Sequence, residues 1–151
     1  MDRLIIDASV ATASLLPDEP YRDAALRILR GFLSNTLELF TVPLLRYEVT
    51  NSLWKAVTRD RADLNDALAA IKEFEAFNLP EHEVPSREVL KVAYTYSRSA
   101  YDAAYLALAQ TEQAPLITAD KHLYNAVKGR FRWVLWVEDF RSPSIGQHSD
   151  A

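Results

Sequence analysis

Four acidic side chains lie where apolar segments of the sequence begin or end. Asp7 directly follows "LII", Asp120 follows "PLIT" after one alanine, and Asp102 stands at the head of "DAAYLALAQ". Glu48 lies within "LLRYEVTNSLWKAV", which comes after the apolar segment "LELFTV". If these segments pack around one sheet, the four carboxylates converge at one edge and repel each other. A bound cation is the usual way to offset such repulsion.

The types of the available ligands indicate which cation would bind. Carboxylate oxygens without sulfur or imidazole favour a hard divalent ion such as Mg²⁺ or Mn²⁺. The chain has no cysteine, and its three histidines are widely separated, which argues against a zinc site. Because Mg²⁺ keeps several waters and is completed by substrate phosphate, the pattern points to phosphate chemistry. The three glycines form neither a dinucleotide-binding fingerprint nor a P-loop.

Each acid also has a purely structural interpretation. Asp7 and Asp120 both precede segments with helical character and suit helix N-caps. Ser99 and Asp102 have the spacing of a capping box. Glu48 could belong to a solvated helix face. The other polar members of that face, at helical spacing, are Asn51, Ser52 and Lys55. Taken one at a time the structural roles are sufficient, so the metal-site hypothesis depends on convergence of all four.

Composition restricts the class of protein. The formal net charge is −4, which argues against a protein that coats nucleic acid by bulk electrostatics, although local basic rims remain compatible with it. The start of the chain has neither the basic region nor the long apolar stretch of a signal peptide. No apolar run approaches the ~18 residues of a membrane span. We therefore expect a cytoplasmic protein without a membrane segment.

The elements that must position the acids follow from apolar periodicity. We expect Pro43 to lie in the first turn of the helix over 44–57, Ser86 to be the N-cap of the helix over 87–97, and Gly129 to end the helix over 120–129. Strands are predicted over 3–7, 37–42, 115–118 and 132–138, with a brief one at "HEV" (82–84). Helices are predicted over 9–16, 17–35, 44–57, 64–77, 87–97, 99–110 and 120–129.

This alternation of strands and helices predicts the fold class. Strands as apolar as "LII" and "PLI" are typical of parallel sheets buried on both faces. We predict an α/β protein, a three-layer α/β/α sandwich with a mostly parallel sheet. One domain is expected over residues 1–141, followed by a disordered tail over 142–151.

The quoted acidic segments resemble a known family. "IIDAS", "YEVTNSLWK", "SAYDAAYLALA" and "LITAD" are similar to the four acidic motifs of PIN-domain ribonucleases, and most of all to those of VapC-type toxins from toxin–antitoxin pairs. The resemblance runs in the right order from Leu4 to Phe140. It implies a Rossmann-like sandwich, RNA cleavage dependent on Mg²⁺ or Mn²⁺, a homodimer, and an antitoxin that covers the active site.

The resemblance also implies roles for individual residues. Asp7, Glu48 and Asp102 would be the main metal ligands, with Asp120 completing the site. Thr118, and with less specific support Ser9 and Asn51, would orient ligands or metal-bound water. Basic residues that flank the acidic motifs would contact the RNA backbone, or are ordinary surface charge. They are Arg46, Lys55, Arg98 and Lys121, with a second cluster at Lys128, Arg130 and Arg132.

Two alternatives stay open at this point. A phospho-acceptor receiver domain also binds Mg²⁺ at strand ends, but it would have adjacent acids after its first strand. Here Asp7 stands alone and Asp102 begins a helix. A PIN scaffold that binds partners without catalysis is the other alternative, because the sequence does not show that a metal binds.

Overall fold

The computed structural model describes residues 1–141, so the expected tail over 142–151 lies outside the described residues. The four strands form one parallel sheet in the order β2-β1-β3-β4. The elements along the chain are β1 (Asp2–Ile6), α1 (Ala8–Leu15), α2 (Arg22–Leu33), β2 (Leu37–Phe40), α3 (Leu45–Thr58), α4 (Leu64–Phe77), α5 (Ser86–Tyr96), α6 (Ala100–Glu112), β3 (Leu116–Thr118), α7 (Lys121–Val127) and β4 (Val134–Trp136).

Strand order places the helices on both faces of the sheet. The chain moves to one side of β1 to form β2, and to the other side to form β3 and β4. Since crossovers between parallel strands are right-handed, α1 and α2 cover one face while α6 and α7 cover the other. The predicted three-layer α/β/α sandwich with a parallel sheet is confirmed.

The core lies where the central strands meet α1 and α6. Ile5 and Ile6 on β1 and Leu116 and Ile117 on β3 are fully buried, as expected for strands covered on both sides. Ile5 pairs with Leu116 and Ile6 with Ile117. This pairing fixes the register of the two strands after which Asp7 and Asp120 stand, so the chain leaves both strands at the same sheet edge.

Some predicted details are wrong, and proline explains part of the difference. Instead of a strand at 82–84, only Glu81 forms an isolated bridge, with Thr41. The segment lies between Pro80 and Pro85, and proline lacks the N–H that extends a ladder. Ser86 is not the N-cap of α5; Pro85 occupies that position, and no side chain caps the helix.

The predicted bounds of α2 and α7 also differ from the structure. Helix α2 begins at Arg22 because the preceding segment, with Pro17 and Pro20, forms a loop. Gly129 does not provide a left-handed stop for α7, which ends at Val127.

Within residues 1–141, no helix combines the length and hydropathy needed to cross a membrane.

Candidate metal centre

A cleft of about 470 Å³ opens at the edge of the sheet where the strands end at their carboxyl termini, and all four acids line it. Asp7 comes from the end of β1 and Asp120 from the segment after β3. Glu48 is contributed by α3 and Asp102 by the first turn of α6. The structure thus brings together four carboxylates, of which the first and last are more than a hundred residues apart in the sequence.

Asp7 is the most enclosed of the four, with only 5% of the residue exposed. Its Oδ1 accepts hydrogen bonds from the Ser9 hydroxyl (2.5 Å) and from the backbone N–H groups of Ser9 (3.1 Å) and Val10 (3.3 Å). Its Oδ2 accepts one from the Thr118 hydroxyl at 2.6 Å. Burial raises the pKa of Asp7 from its ordinary 3.8 to about 6, although these hydrogen bonds oppose the rise. The charge of Asp120 raises it further.

Two hydroxyls join the ends of β1 and β3 behind Asp7. Thr118 Oγ1 accepts the backbone N–H of Asp120 at 3.1 Å while it donates to Asp7. Ser9 Oγ similarly accepts the backbone N–H of Ala119 at 2.8 Å. The two residues proposed to orient ligands therefore hold Asp7 and the segment of Asp120 in one hydrogen-bonded unit.

Glu48 is held by a tyrosine that was not among the predicted site residues. The Tyr105 hydroxyl donates to Glu48 Oε1 at 2.5 Å. Partial burial raises the pKa of Glu48, the Tyr105 bond lowers it, and the charge of Asp102 raises it. Burial and the neighbouring carboxylates also raise the pKa of Tyr105, so this hydroxyl stays protonated and acts as a donor. Its position three residues after Asp102 on α6 was the available signal, because such residues share a helix face.

Asp102 combines the two roles that the sequence left open. Its backbone N–H donates to Ser99 Oγ at 3.2 Å, which caps α6. Its carboxylate points into the cleft, where Oδ2 accepts hydrogen bonds from Arg98 Nη2 at 2.9 Å and Nε at 3.2 Å. Asp120 likewise caps α7, with Oδ1 accepting the N–H of Leu123 at 3.1 Å. The cap of α6 uses the backbone N–H of Asp102, and the cap of α7 uses only one carboxylate oxygen of Asp120.

The polar residues expected on one face of α3 do line the cleft. Ser9 lies opposite them on α1, and Thr118 is buried beneath Asp7. Side chains missed by the sequence analysis also contribute to the lining. The lining residues on α3 are Asn51, Ser52 and Lys55, and the additional ones are Tyr47, Tyr101 and Tyr105.

The candidate RNA-contacting cations are distributed differently from the expectation. Lys55 lines the cleft, and Arg98 is engaged with Asp102. Arg46 pairs with Glu81 at 2.8 Å and lines a separate hollow. Lys121 is exposed at the start of α7 and is not part of the cleft lining. The second basic cluster packs on aromatic rings. Its pairs are Lys128 with Tyr124, Arg130 with Tyr96, and Arg132 with Trp133.

The donor set fits a hard divalent cation. Four carboxylates and several hydroxyls line the cleft, without sulfur or imidazole. Asp7 in particular is a buried carboxylate whose raised pKa shows that burial disfavours its charged form, which a bound cation would stabilise. Among residues 1–141 no three acidic or histidine side chains are arranged as a preformed ligand cluster. Each carboxylate instead holds a hydrogen-bond donor of the protein, which a cation would replace or share.

Comparison with known proteins gives a consistent family. The PIN domain model matches residues 4–129. Ribonuclease VapC3 from Pyrobaculum aerophilum is 30% identical over 125 residues, covering 80% of this chain and 92% of the relative. Exonuclease VapC9 from the same organism is 34% identical over 84 residues, covering 55% of this chain and 62% of that protein.

Solved structures show the same fold. The crystal structure of PAE2754 from Pyrobaculum aerophilum superposes with a TM-score of 0.67 at 26% identity, covering 91% of this chain and 92% of the other. The structure of FitAB bound to the IR36 DNA fragment gives a TM-score of 0.53 at 12% identity, with 93% and 99% coverage. The resemblance drawn from the four acidic motifs is confirmed: this chain belongs to the PIN domain family.

Proposed function

We propose that this protein is a metal-dependent ribonuclease that hydrolyses RNA phosphodiester bonds and is the toxin of a type II toxin–antitoxin pair. The observation that carries the proposal is the cleft lined by four carboxylates, of which Asp7 is buried. The names of the relatives, a ribonuclease and an exonuclease of the VapC type, support nuclease chemistry at this site. Because the chain belongs to the PIN family, the alternative of a phospho-acceptor receiver domain is excluded.

Asp7, Glu48, Asp102 and Asp120 would hold the ion, Mg²⁺ or Mn²⁺. When bound, that ion supplies Lewis-acid activation of the attacking water and stabilises negative charge at the scissile phosphate. The chain's own contribution is orientation. Thr118 and Ser9 fix both oxygens of Asp7, and no histidine base or serine nucleophile is required.

On α3 and α6, the protein positions the remaining groups. Tyr105 fixes one oxygen of Glu48 and leaves the other for the ion. Lys55 and Asn51 lie one to two turns along α3 from Glu48 and line the same cleft, where they can contact a phosphate. Arg98 holds Oδ2 of Asp102 and leaves Oδ1 for the ion, and a cation that displaced Arg98 would free its guanidinium for the RNA backbone.

Partners follow from the family and from the exposed surface. We propose a cognate antitoxin that covers the cleft, and a homodimer formed through apolar side chains that remain exposed on α4 and α5. These include Leu68, 56% exposed, Leu90, 71% exposed, and Tyr94, 86% exposed. The proposed location is the cytoplasm, where the RNA substrate is found. Residues 1–141 are proposed to form the single nuclease domain.

The experiment is RNA cleavage by the purified full chain with Mg²⁺ or Mn²⁺, compared with EDTA. Asp102→Asn is the test variant, and Asp23→Asn, an exposed acid on α2, is the matched control. We expect cleavage by the wild type and the control, and none by Asp102→Asn or in EDTA. Cleavage that persists in either of the last two reactions contradicts the proposal. RNA binding without any cleavage would support the non-catalytic scaffold instead.

A further inference from the structure

A second polar hollow continues the acidic cleft along α3. It has a volume of about 370 Å³ and lies between α1, the second half of α3 and the loop that joins α1 to α2. Ser9, Ser52 and Lys55 line both this hollow and the cleft, so the two form one continuous surface. We call this second hollow the α1–α3 groove.

The charges of the two parts are opposite. The cleft has four carboxylates and one cation, Lys55. The α1–α3 groove has three cations, Lys55, Arg59 and Arg61, and one carboxylate, Glu19. An acidic pocket that holds a cation and an adjoining basic groove together fit a polyanionic strand, with one phosphate at the cation and the next in the groove.

Arg61 builds the groove, whereas Lys55 and Arg59 are available to a ligand. Arg61 donates to both oxygens of Asp18 at 2.9 Å and to Glu19 at 2.7 Å, which ties the α3–α4 connection to the α1–α2 loop. Lys55 and Arg59 are exposed, and neither forms an ion pair with a carboxylate in the described part of the chain.

The groove also has an unpaired polar atom in its wall. Thr12 Oγ1 is buried and has no hydrogen-bond partner among residues 1–141, and Thr12 lines the groove on α1. Such an unpaired atom is uncommon in a surface that serves packing alone. Lys55 and Arg59 also follow Glu48 at seven and eleven residues, so they continue the same face of α3 beyond the cleft.

We propose that the α1–α3 groove binds the phosphodiester backbone of single-stranded RNA next to the bond that is cut, through Lys55 and Arg59. This subsite rests on the proposed ribonuclease function, since it locates the strand on one particular side of the cleft. It assigns backbone binding to Arg59, which is eleven residues after Glu48, and not to Arg46, which pairs with Glu81 elsewhere.

The test measures binding of a fluorescent 12-nucleotide oligouridylate by anisotropy, in EDTA, at salt concentrations between 50 and 200 mM (roughly the range over which counterion release dominates). The variants are Arg59→Gln and, as a control with the same change in charge, Arg30→Gln. Arg30 is exposed in the last turn of α2. Because the end of α2 leads directly into the start of β2, Arg30 lies near the amino-terminal ends of the strands, away from the cleft at their carboxyl ends. Thermal melting monitored by circular dichroism checks that both variants fold.

We expect Arg59→Gln to weaken binding roughly two- to fivefold and to reduce the slope of log K against log salt by about 0.7, while Arg30→Gln leaves both unchanged. Equal effects of the two variants would indicate bulk charge, and an unchanged affinity of Arg59→Gln would indicate that RNA does not enter the groove; either result overturns the subsite. Because the assay uses EDTA, it is independent of cleavage. A chain that shows the Arg59 effect but never cuts RNA would refute the ribonuclease proposal and leave the groove as a binding site.

Discussion

Replacing Asp7 by asparagine should make the metal-free protein more stable at neutral pH. The buried Asp7 carboxyl has a pKa of about 6 against an ordinary value of 3.8, so the folded state binds its proton more tightly than the unfolded state does. Below about pH 3.8 both states are protonated and burial has no electrostatic cost. As the pH rises through 6, the carboxylate must be buried in charged form, and stability falls.

The magnitude follows from the two pKa values. Their difference corresponds to about 3 kcal/mol at roughly 1.4 kcal/mol per pH unit, and nearly all of this stability has been lost once the pH reaches about 7. Asparagine does not ionise and keeps an oxygen for Ser9 or Thr118. We therefore expect the free energy of unfolding of Asp7→Asn to exceed that of the wild type by about 1–3 kcal/mol at pH 7.5. The difference should become small near pH 4.

The assay is urea denaturation in EDTA across this pH range, with Asp23→Asn as the control. Asp23 is exposed on α2, away from the cleft, so its replacement removes one carboxylate without changing the surroundings of Asp7. Two results would contradict this reasoning: Asp7→Asn is no more stable than the wild type at pH 7.5, or it is more stable by the same amount at pH 4. Either would show that burying the charged Asp7 carboxylate does not lower the stability of the wild type.

Three further substitutions test the contacts around the cleft. Tyr105→Phe removes the donor to Glu48 and should lower the free energy of unfolding at pH 7 by about 1–2 kcal/mol in urea titrations; an unchanged value would show that the bond contributes nothing. Arg98→Gln removes the cation that competes for Asp102 and should tighten Mn²⁺ binding roughly two- to fivefold by calorimetry, whereas weaker binding would show that Arg98 supports the site. Thr12→Val replaces an unpaired buried hydroxyl with a methyl group and should be neutral or stabilising by up to about 1 kcal/mol; a clear loss of stability would show that the hydroxyl is bonded in solution.

The placement of two of the four acids could be predicted because parallel strands fix it. Asp7 directly follows β1 and Asp120 follows β3 after one residue, so the correct strands were enough to place both at the carboxyl edge of the sheet. Helical spacing likewise placed Asn51, Ser52 and Lys55 beside Glu48. The same rule would have removed Arg46, which is two residues before Glu48 and so lies on another side of α3.

Contacts between distant segments could not be predicted in this way. Tyr105 reaches Glu48 across 57 positions, and the Thr118–Asp7 bond spans 111. The basic character of the α1–α3 groove depends on the α1–α2 loop, which Arg61 holds through Asp18 and Glu19. These contacts are set by how α1, α3 and α6 pack, which periodicity along a single segment does not specify.

The central claim is that the acidic cleft binds a divalent cation through carboxylates contributed by separate elements. Electron paramagnetic resonance of free Mn²⁺ titrated with protein measures this without RNA. We predict that the wild type and Asp23→Asn bind Mn²⁺ alike, and that Asp102→Asn and Asp120→Asn each weaken binding by at least about tenfold. If both of these cleft variants bind Mn²⁺ as tightly as the wild type, the four carboxylates do not form a cation site.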